Sequence, residues 1–582
     1  MSPVPSHRAG VLPLTASGTT REVSREVAAF VLVLGSLIAV GIAARGMLAP
    51  IGSMPLAISL SPAALPGYTL RTIARMLAAL CASLLFTLTY ATWAAKSRRA
   101  ERVLIPVLDV LQSVPVLGYL SFTAAFFVAL APRRALGAEL AAIFAIFTSQ
   151  AWNMAFSFYQ ALKTIPADLD EASRSVRQSA WQRFWRLEVP FAMPGLVWNT
   201  MMSMSGGWFF VVAAEAISVG SMQIALPGVG SYVAAAIAAH DLTAVGYAIA
   251  AMTVAILLYD RLLFRPIVAW ADKFRVEQTA ASESPRSRVL EILERSRLIG
   301  LIGEPLKRTL ARVACARVTF PSAARGVTSW LAPPEWLAGA LWYVLIAAGG
   351  GFAVWELVLH GSATFSRDDL TAVGVNGAIT LLRVIVLTVL ASLIWVPIGV
   401  AVGLRPRWTA FAQPLAQFLA AFPANLLFPF AVFFILRFHL KPAIWLSGLM
   451  ILGTQWYILF NVIAGASAYP TDLKEAAASL RLRPGRWWRE AMLPGIFPYY
   501  VTGAITAAGG AWNASIVSEA VSWGATKVSG GGLGAYIAER TLAGDFPRIA
   551  LGVATMSLTV TSLNVLLWQP LYRFAERRTR LG

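Results

Sequence analysis

Cysteine, histidine and charge are all scarce in this chain of 582 residues, and each shortage removes a class of function. Two cysteines, Cys81 and Cys315, provide no disulfide framework and no thiolate metal site. The four histidines, His7, His240, His360 and His439, are scattered, which argues against a membrane-embedded enzyme built on clustered His, Asp or Glu. Only 13% of residues are charged and 57% are hydrophobic, whereas soluble globular proteins carry roughly 25% charged residues. A water-soluble fold is not expected, and no Gly-x-x-x-x-Gly-Lys-Ser/Thr loop is present to cradle a nucleotide phosphate.

What the chain has instead is long apolar runs. A bilayer-spanning helix needs about 20 mostly apolar residues, because lipid offers its backbone no hydrogen-bond partners. Twelve stretches meet that need: 27–44, 76–95, 110–132, 140–162, 189–214 and 242–259, then 336–355, 384–404, 408–436, 442–471, 491–518 and 549–572. The run at 27–44 exceeds the roughly 7–15-residue core of a signal peptide and reads as a retained span. The expectation is an all-α integral membrane protein of about twelve transmembrane helices.

The net charge of +19 is placed in a pattern. Lys96, Arg98, Arg99 and Arg102 follow the second run, and Arg573, Arg577, Arg578 and Arg580 follow the twelfth, while the loops after runs one and five are nearly uncharged. Basic residues gathered on alternate loops follow the positive-inside rule. It puts the N-terminal tail (1–26), the linker (274–335) and the C-terminus in the cytoplasm, and it accounts for the charge without a nucleic-acid partner.

The chain is also written twice. Adding 304 carries Trp152 onto Trp456, Pro166 onto Pro470, Asp168 onto Asp472, Glu171 onto Glu475, Pro190 onto Pro494, Trp208 onto Trp512, Glu215 onto Glu519 and Gly230 onto Gly534. Upstream, Pro106 and Pro115 match Pro414 and Pro423 at an offset of 308. Six spans per copy is an even number, so the repeats, 27–273 and 336–582, run parallel in the membrane. In parallel repeats a substrate path lies at the interface near the midplane.

Between the fourth and fifth runs of each half lies a polar insert: Pro166-Ala167-Asp168-Leu169-Asp170-Glu171-Ala172-Ser173, and Pro470-Thr471-Asp472-Leu473-Lys474-Glu475-Ala476-Ala477. Each reads as a short helix after a proline, with Asp168 or Asp472 as its N-cap and Glu171 or Glu475 at capping-box spacing. A proline follows each glutamate by nineteen residues, Pro190 and Pro494.

At these residues the sequence resembles the inner-membrane permeases of ATP-binding cassette importers, whose hallmark loop reads Glu-Ala-Ala, then Gly, then aliphatic-x-aliphatic-Pro at the same spacing. The usual glycine is Arg177 and Arg481 here, a departure that puts the tight turn in doubt. The resemblance implies that the loops at about 166–190 and 470–494 are cytoplasmic coupling helices docking on two ATPase subunits. It places ATP and Mg in those partners, and it implies no enzyme activity and no cofactor in this chain, plus an extracytoplasmic substrate-binding protein and a bacterial inner-membrane location. The segments around Gly206-Gly207-Trp208 and Trp512 look like the nitrate, sulfonate and taurine branch, which implies a small anion such as nitrate, sulfonate, taurine or bicarbonate.

Within the runs, Asn153, Asn199, Trp208, Glu215, Trp512, Asn513 and Glu519 are candidates for the translocation path. A carboxylate at membrane depth is costly unless paired or wet, so Glu215 and Glu519 read as gate or fold elements, with backbone amides of the glycine-rich segments as their expected partners. Arg133 and Arg437 sit on the expected outer face, as contacts for a binding protein or attractors of anions. The rival reading is an ion-gradient-driven secondary transporter of two six-helix bundles, which has no need of docking helices.

Overall fold

The computed structural model describes residues 58–131, 135–219, 222–274, 287–317, 365–524 and 526–579, with a few isolated positions elsewhere. The expected spans at 27–44 and 336–355, the N-terminal tail, Arg133 and parts of the linker therefore lie outside the described residues, apart from those isolated positions.

The first half runs through helices α1 (Leu65–Phe86), α2 (Arg98–Ser113), α3 (Val116–Leu130), α4 (Ala135–Lys163), α5 (Ala167–Ser175) and α6 (Val189–Glu215). A hairpin of β1 (Ala216–Val219) and β2 (Met222–Ala225) follows, then α7 (Val229–Ala238) and α8 (Leu242–Tyr259). The linker contributes α9 (Arg288–Arg295) and α10 (Arg297–Cys315). The second half repeats the order: α11 (Arg367–Gly403), α12 (Pro406–Ala421), α13 (Phe428–Arg437), α14 (Pro442–Leu452), α15 (Gln455–Ser467), α16 (Thr471–Ser479) and α17 (Leu493–Ser518). It closes with the hairpin β3 (Ala520–Trp523) and β4 (Thr526–Ser529), then α18 (Leu533–Ala543), α19 (Phe546–Leu563) and α20 (Gln569–Thr579). The two antiparallel hairpins are the one departure from an all-α chain among the described residues.

Local chemistry sets these boundaries. Ser97 caps α2 by accepting the Ala100 N–H, Ser366 and Asp369 form a capping box at α11, and Asp241 caps α8 through the N–H groups of Thr243 and Ala244. Prolines that lack the donor a helix start leaves unpaired anyway open α6 and α17.

Among the described residues five helices are long and apolar enough to cross a membrane, or up to seven if each bent pair counts as one span. Three expected spans are not single straight helices. The run 110–132 breaks at Val114 and Pro115 between α2 and α3, where both residues are extended. Its counterpart 408–436 breaks around Pro423, with α12 and the following helix bent by 77°. The run 442–471 bends by 41° between α14 and α15. Hydropathy is blind to such breaks, because a proline that removes one ladder hydrogen bond hardly changes the mean apolarity.

The halves are interlocked rather than merely adjacent. Residues of α3 join the apolar core of the second half, while Ala421 and Leu426 join that of the first. Two contacts fix this exchange: Val116 N–H donates to Asn513 Oδ1 at 2.8 Å, and Asn425 Nδ2 donates to the Phe209 carbonyl at 3.3 Å. Phe209 and Asn513 are matching positions of the repeat, while Asn425 is one residue past the match of Val116, so the two contacts fall at neighbouring places in the seam.

Candidate functional site

Two features stand out: an exposed helical loop ahead of α6 and of α17, one in each half, and a cavity lined by residues of both halves.

The loop helices start one residue before the expected cap. Pro166 is the N-cap of α5 and makes no side-chain cap, and Asp168 and Asp170 lie in the first turn, where a carboxylate complements the helix dipole. The expected capping box of Asp168 and Glu171 is therefore absent, since Pro166 offers no side-chain oxygen and the extended backbone before the helix belongs to it. In α16, Asp472 likewise falls in the first turn. Glu171, Ala172, Glu475 and Ala476 are exposed, while the next residues, Ser173 and Ala477, are buried at 6% and 7%. Each helix thus has one side seated on the protein and one side presented outward.

The turns after them hold a second correction. Arg177 and Arg481 have φ of 48° and 46°, the left-handed region that costs an L-residue about 1–2 kcal/mol and suits glycine. The tight turn is kept although glycine is replaced. Pro190 and Pro494 then sit in the first turns of α6 and α17, joined to the loops through one turn of π-helix at Phe184–Glu188 and at Trp487–Met492.

The two loops are braced differently. In the first, Asp170 pairs with Arg174 at 2.8 Å and Arg183 at 2.6 Å, and buried Glu188 pairs with Arg183 at 3.2 Å and Lys96 at 2.8 Å. The positions of Asp170, Arg183 and Glu188 become Lys474, Trp487 and Met492 in the second loop. Reading the repeat only for identities hid this difference.

The cavity at the seam has a volume of about 310 Å³. From the first half it is lined by Asp109, Gln112, Thr148, Trp152, Asn153 and Phe210, and from the second by Tyr457, Thr506, Trp512, Asn513, Asn564 and Trp568, among others. Among the described residues Asp109 is the single charged one in the lining. The indole N–H of Trp512 has no hydrogen-bond partner among the described residues, although the side chain is 1% exposed. A smaller void of about 70 Å³, bounded by Gly206, Phe210, Tyr457, Gly510 and Asn513, continues the space across the seam.

Of the candidates for the path, the structure gathers Asn153, Trp512 and Asn513 at this cavity. Trp208 is buried beside a separate lateral cavity of about 600 Å³, and Asn199 donates to Ser157 Oγ at 2.9 Å inside the first half. Glu215 and Glu519 lie at neither. Each is fully buried in a duplicated staple: Thr72 and Arg75 donate to Glu215 at 2.6 and 2.7 Å, Thr380 and Arg383 to Glu519 at 2.9 and 2.8 Å. The amides of Gly230 and Gly534 complete the set at 2.7 and 2.8 Å.

Sequence reading missed Arg75 and Arg383 because a lone arginine was taken to end an apolar run. The signal was present: Thr72 and Arg75 map onto Thr380 and Arg383 at the same 308 offset as the prolines. One asymmetry remains, since Arg75 also makes a two-pronged pair with Glu139 at 2.6 and 2.7 Å, whereas position 443 is alanine and Arg383 donates instead to the Gly530 and Gly531 carbonyls. Among the described residues no cluster of three or more His, Cys, Asp or Glu is disposed to hold a metal ion.

Comparison with known proteins matches residues 87–265 and 395–581 to the model for binding-protein-dependent transport system inner membrane components, once in each half. The chain is 30% identical over 161 residues to the glycine betaine/proline betaine transport system permease protein of Escherichia coli (strain K12), covering 27% of this chain and 43% of that protein. It is 30% identical over 135 residues to the bicarbonate transport system permease protein of Synechococcus elongatus, covering 23% of this chain and 47% of that one. The nitrate import permease protein of Leptolyngbya laminosa is 24% identical over 214 residues, 36% of this chain and 72% of its own length. The chain thus spans about half the length of the first relatives named.

Proposed function

The chain belongs to the family of binding-protein-dependent transport system inner membrane components, and from that premise we propose that it is the fused permease of an ATP-driven importer, both half-channels in one polypeptide. The observation that carries this reading is the pair of outward-presented helices, α5 and α16, each joined to a seam helix through a left-handed turn, a short helical segment and one turn of π-helix. A motor pushing on α5 and α16 moves α6 and α17, and with them the walls of the cavity. Two such helices call for two ATPase subunits, which hold the ATP and Mg, so that this chain does no bond chemistry of its own. An extracytoplasmic binding protein delivers the solute to the outer mouth. The termini, the linker and both loops face the cytoplasm of a bacterial inner membrane.

The solute class follows less directly from the lining. A small oxyanion, the class carried by the nitrate and bicarbonate relatives, would be held by neutral donors such as Gln112, Asn153, Asn513 and the indole of Trp512, since no cation among the described residues lines the cavity. Weak binding suits a passage that must also release. A second reading is a betaine, as for the Escherichia coli relative, and one observation favours it: the cavity is rich in aromatic faces and carries a carboxylate, which attract a quaternary ammonium.

Uptake into vesicles containing this chain and its ATPases, with nitrate, bicarbonate or glycine betaine supplied on the binding protein, tests both levels. ATP-dependent accumulation supports the importer; accumulation driven by an ion gradient with the chain alone contradicts it. Asp109→Asn should lower betaine uptake and leave or raise anion uptake.

A further inference from the structure

The linker has apolar positions at Leu290, Leu293 and Leu298, which suit a plain tether or the membrane surface; its second helix is held at its far end, and the helix just before it is held as well. Just before α10, Glu294 of α9 pairs with Lys273 at 2.6 Å, at the inner end of the helix that runs Leu242–Phe274. At its far end, where the last carbonyls of a helix have no intrahelical partner, Trp181 Nε1 donates to the Val313 carbonyl and Gln182 Nε2 to the Cys315 carbonyl, both at 2.7 Å. Trp181 and Gln182 lie a few residues before α6 enters its apolar course. Both contacts are therefore made next to the ends of long apolar helices, and α10, about 28 Å long at 1.5 Å per residue, is tied to those ends.

What α10 displays fits a lipid surface. Leu310 and Val313, which share one side of the helix, are 59% and 49% exposed, and Lys307, Arg308 and Arg312 lie around from them, with Glu304 as the helix's lone acidic residue; Leu301, 73% exposed, is nine residues before Leu310 and stands on the opposite side with the cations. Lys307 and Arg308 are 3.9 and 3.6 Å from Glu304, at the edge of pairing. Leu310 and Val313 beside cations, on a helix tied to the ends of apolar helices, match an interfacial helix that inserts its apolar side and meets anionic headgroups with its basic side.

We propose that α10 is a lipid-bound strap: it lies in the anionic surface of the leaflet from which the loops emerge, and through Trp181 and Gln182 it ties the first coupling loop to that surface. At the matching positions of the second loop stand Gly485 and Arg486, so the indole contact of Trp181 has no counterpart there. The proposal rests on the membrane reading of the fold and not on transport, so its failure leaves ATP-driven uptake intact, and a failure of uptake leaves the strap in place.

The test uses the full chain with Cys81→Ser and Cys315→Ser and a nitroxide on Leu310→Cys. It is reconstituted in vesicles of phosphatidylcholine alone or with an equal share of phosphatidylglycerol. A nitroxide on Leu393→Cys, in the middle of α11 and 68% exposed, marks full lipid contact. At position 310, oxygen should relax the label several-fold more than a water-soluble nickel chelate in anionic vesicles. The preference should fall when Lys307, Arg308 and Arg312 become Gln or when salt shortens the screening length to about 3 Å. Trp181→Phe, which keeps the ring and removes the donor, should raise the mobility of a label on Ser175→Cys. Equal access to the nickel chelate in both vesicle types overturns the proposal. So does protection that arises only when ATPase subunits are bound, which would assign the face to a protein partner.

Discussion

The residues that matter most for holding this molecule together are two arginines inside apolar helices. Removing one partner of a buried ion pair leaves a charge in low dielectric and costs about 3–5 kcal/mol. Glu519→Ala strands Arg383 with backbone carbonyls alone, whereas Glu215→Ala leaves Arg75 on Glu139. Glu519→Ala should therefore lower thermal stability in detergent by about that full amount, and Glu215→Ala by roughly half as much. Gly532→Ala should be as damaging as Glu519→Ala, because its φ of 109° is left to glycine and a Cβ there would lie 2.4 Å from Glu519 Oε1. The opposite sign is expected at the loop turns. Arg177→Gly and Arg481→Gly relieve a left-handed arginine and should each stabilise by about 1 kcal/mol, read as a rise in melting temperature; a fall would mean that the arginine side chains do more for the fold than the backbone strain undoes.

At the scale of helices and loops the duplication is both the guide and the trap. Matching by 304 placed short helices at α5 and α16, with a proline following each, because those features are local and shared by both copies. It could not place the ion network Asp170–Arg183–Glu188–Lys96, which exists in one copy alone, nor the exchange of α3 and Ala421 between the halves, which is a matter of tertiary packing. Arg183→Ala should therefore weaken ATP-driven uptake through the first loop several-fold, while Trp487→Ala, at the matching position, acts only through packing. Acid sensitivity belongs to this scale too. Hydrogen bonds from Lys163 and then Tyr159 hold the Glu101 carboxyl at the start of α2 below its ordinary range. A carboxyl lowered in the folded state stabilises above its unfolded pKa, about 4.3, and the contribution is lost as pH falls below that. Glu101→Gln should flatten this part of the acid limb in a melting-temperature profile and cost little at neutral pH, since a partly exposed pair contributes about 0–1 kcal/mol.

Seen whole, the molecule is two copies of one machine part closed around a seam, and its membrane character and repeat were legible in composition and offset alone. Span counting was less secure: hydropathy passed over the breaks at Pro115 and Pro423, and it trimmed α1 and α11 at the very arginines that the staples neutralise. The account stands on α5 and α16 being handles for a pair of motors on one membrane face. Cysteines at Glu171 and Glu475, each in turn and then together, in the intact complex with its ATPases, test that most directly. The account predicts that each single cysteine cross-links to one ATPase subunit, that the double variant captures two per chain, and that ATP-driven uptake stops when both are linked. Labelling of the two positions from opposite sides of the membrane, or full uptake with both side chains joined to a bulky reagent, would contradict it.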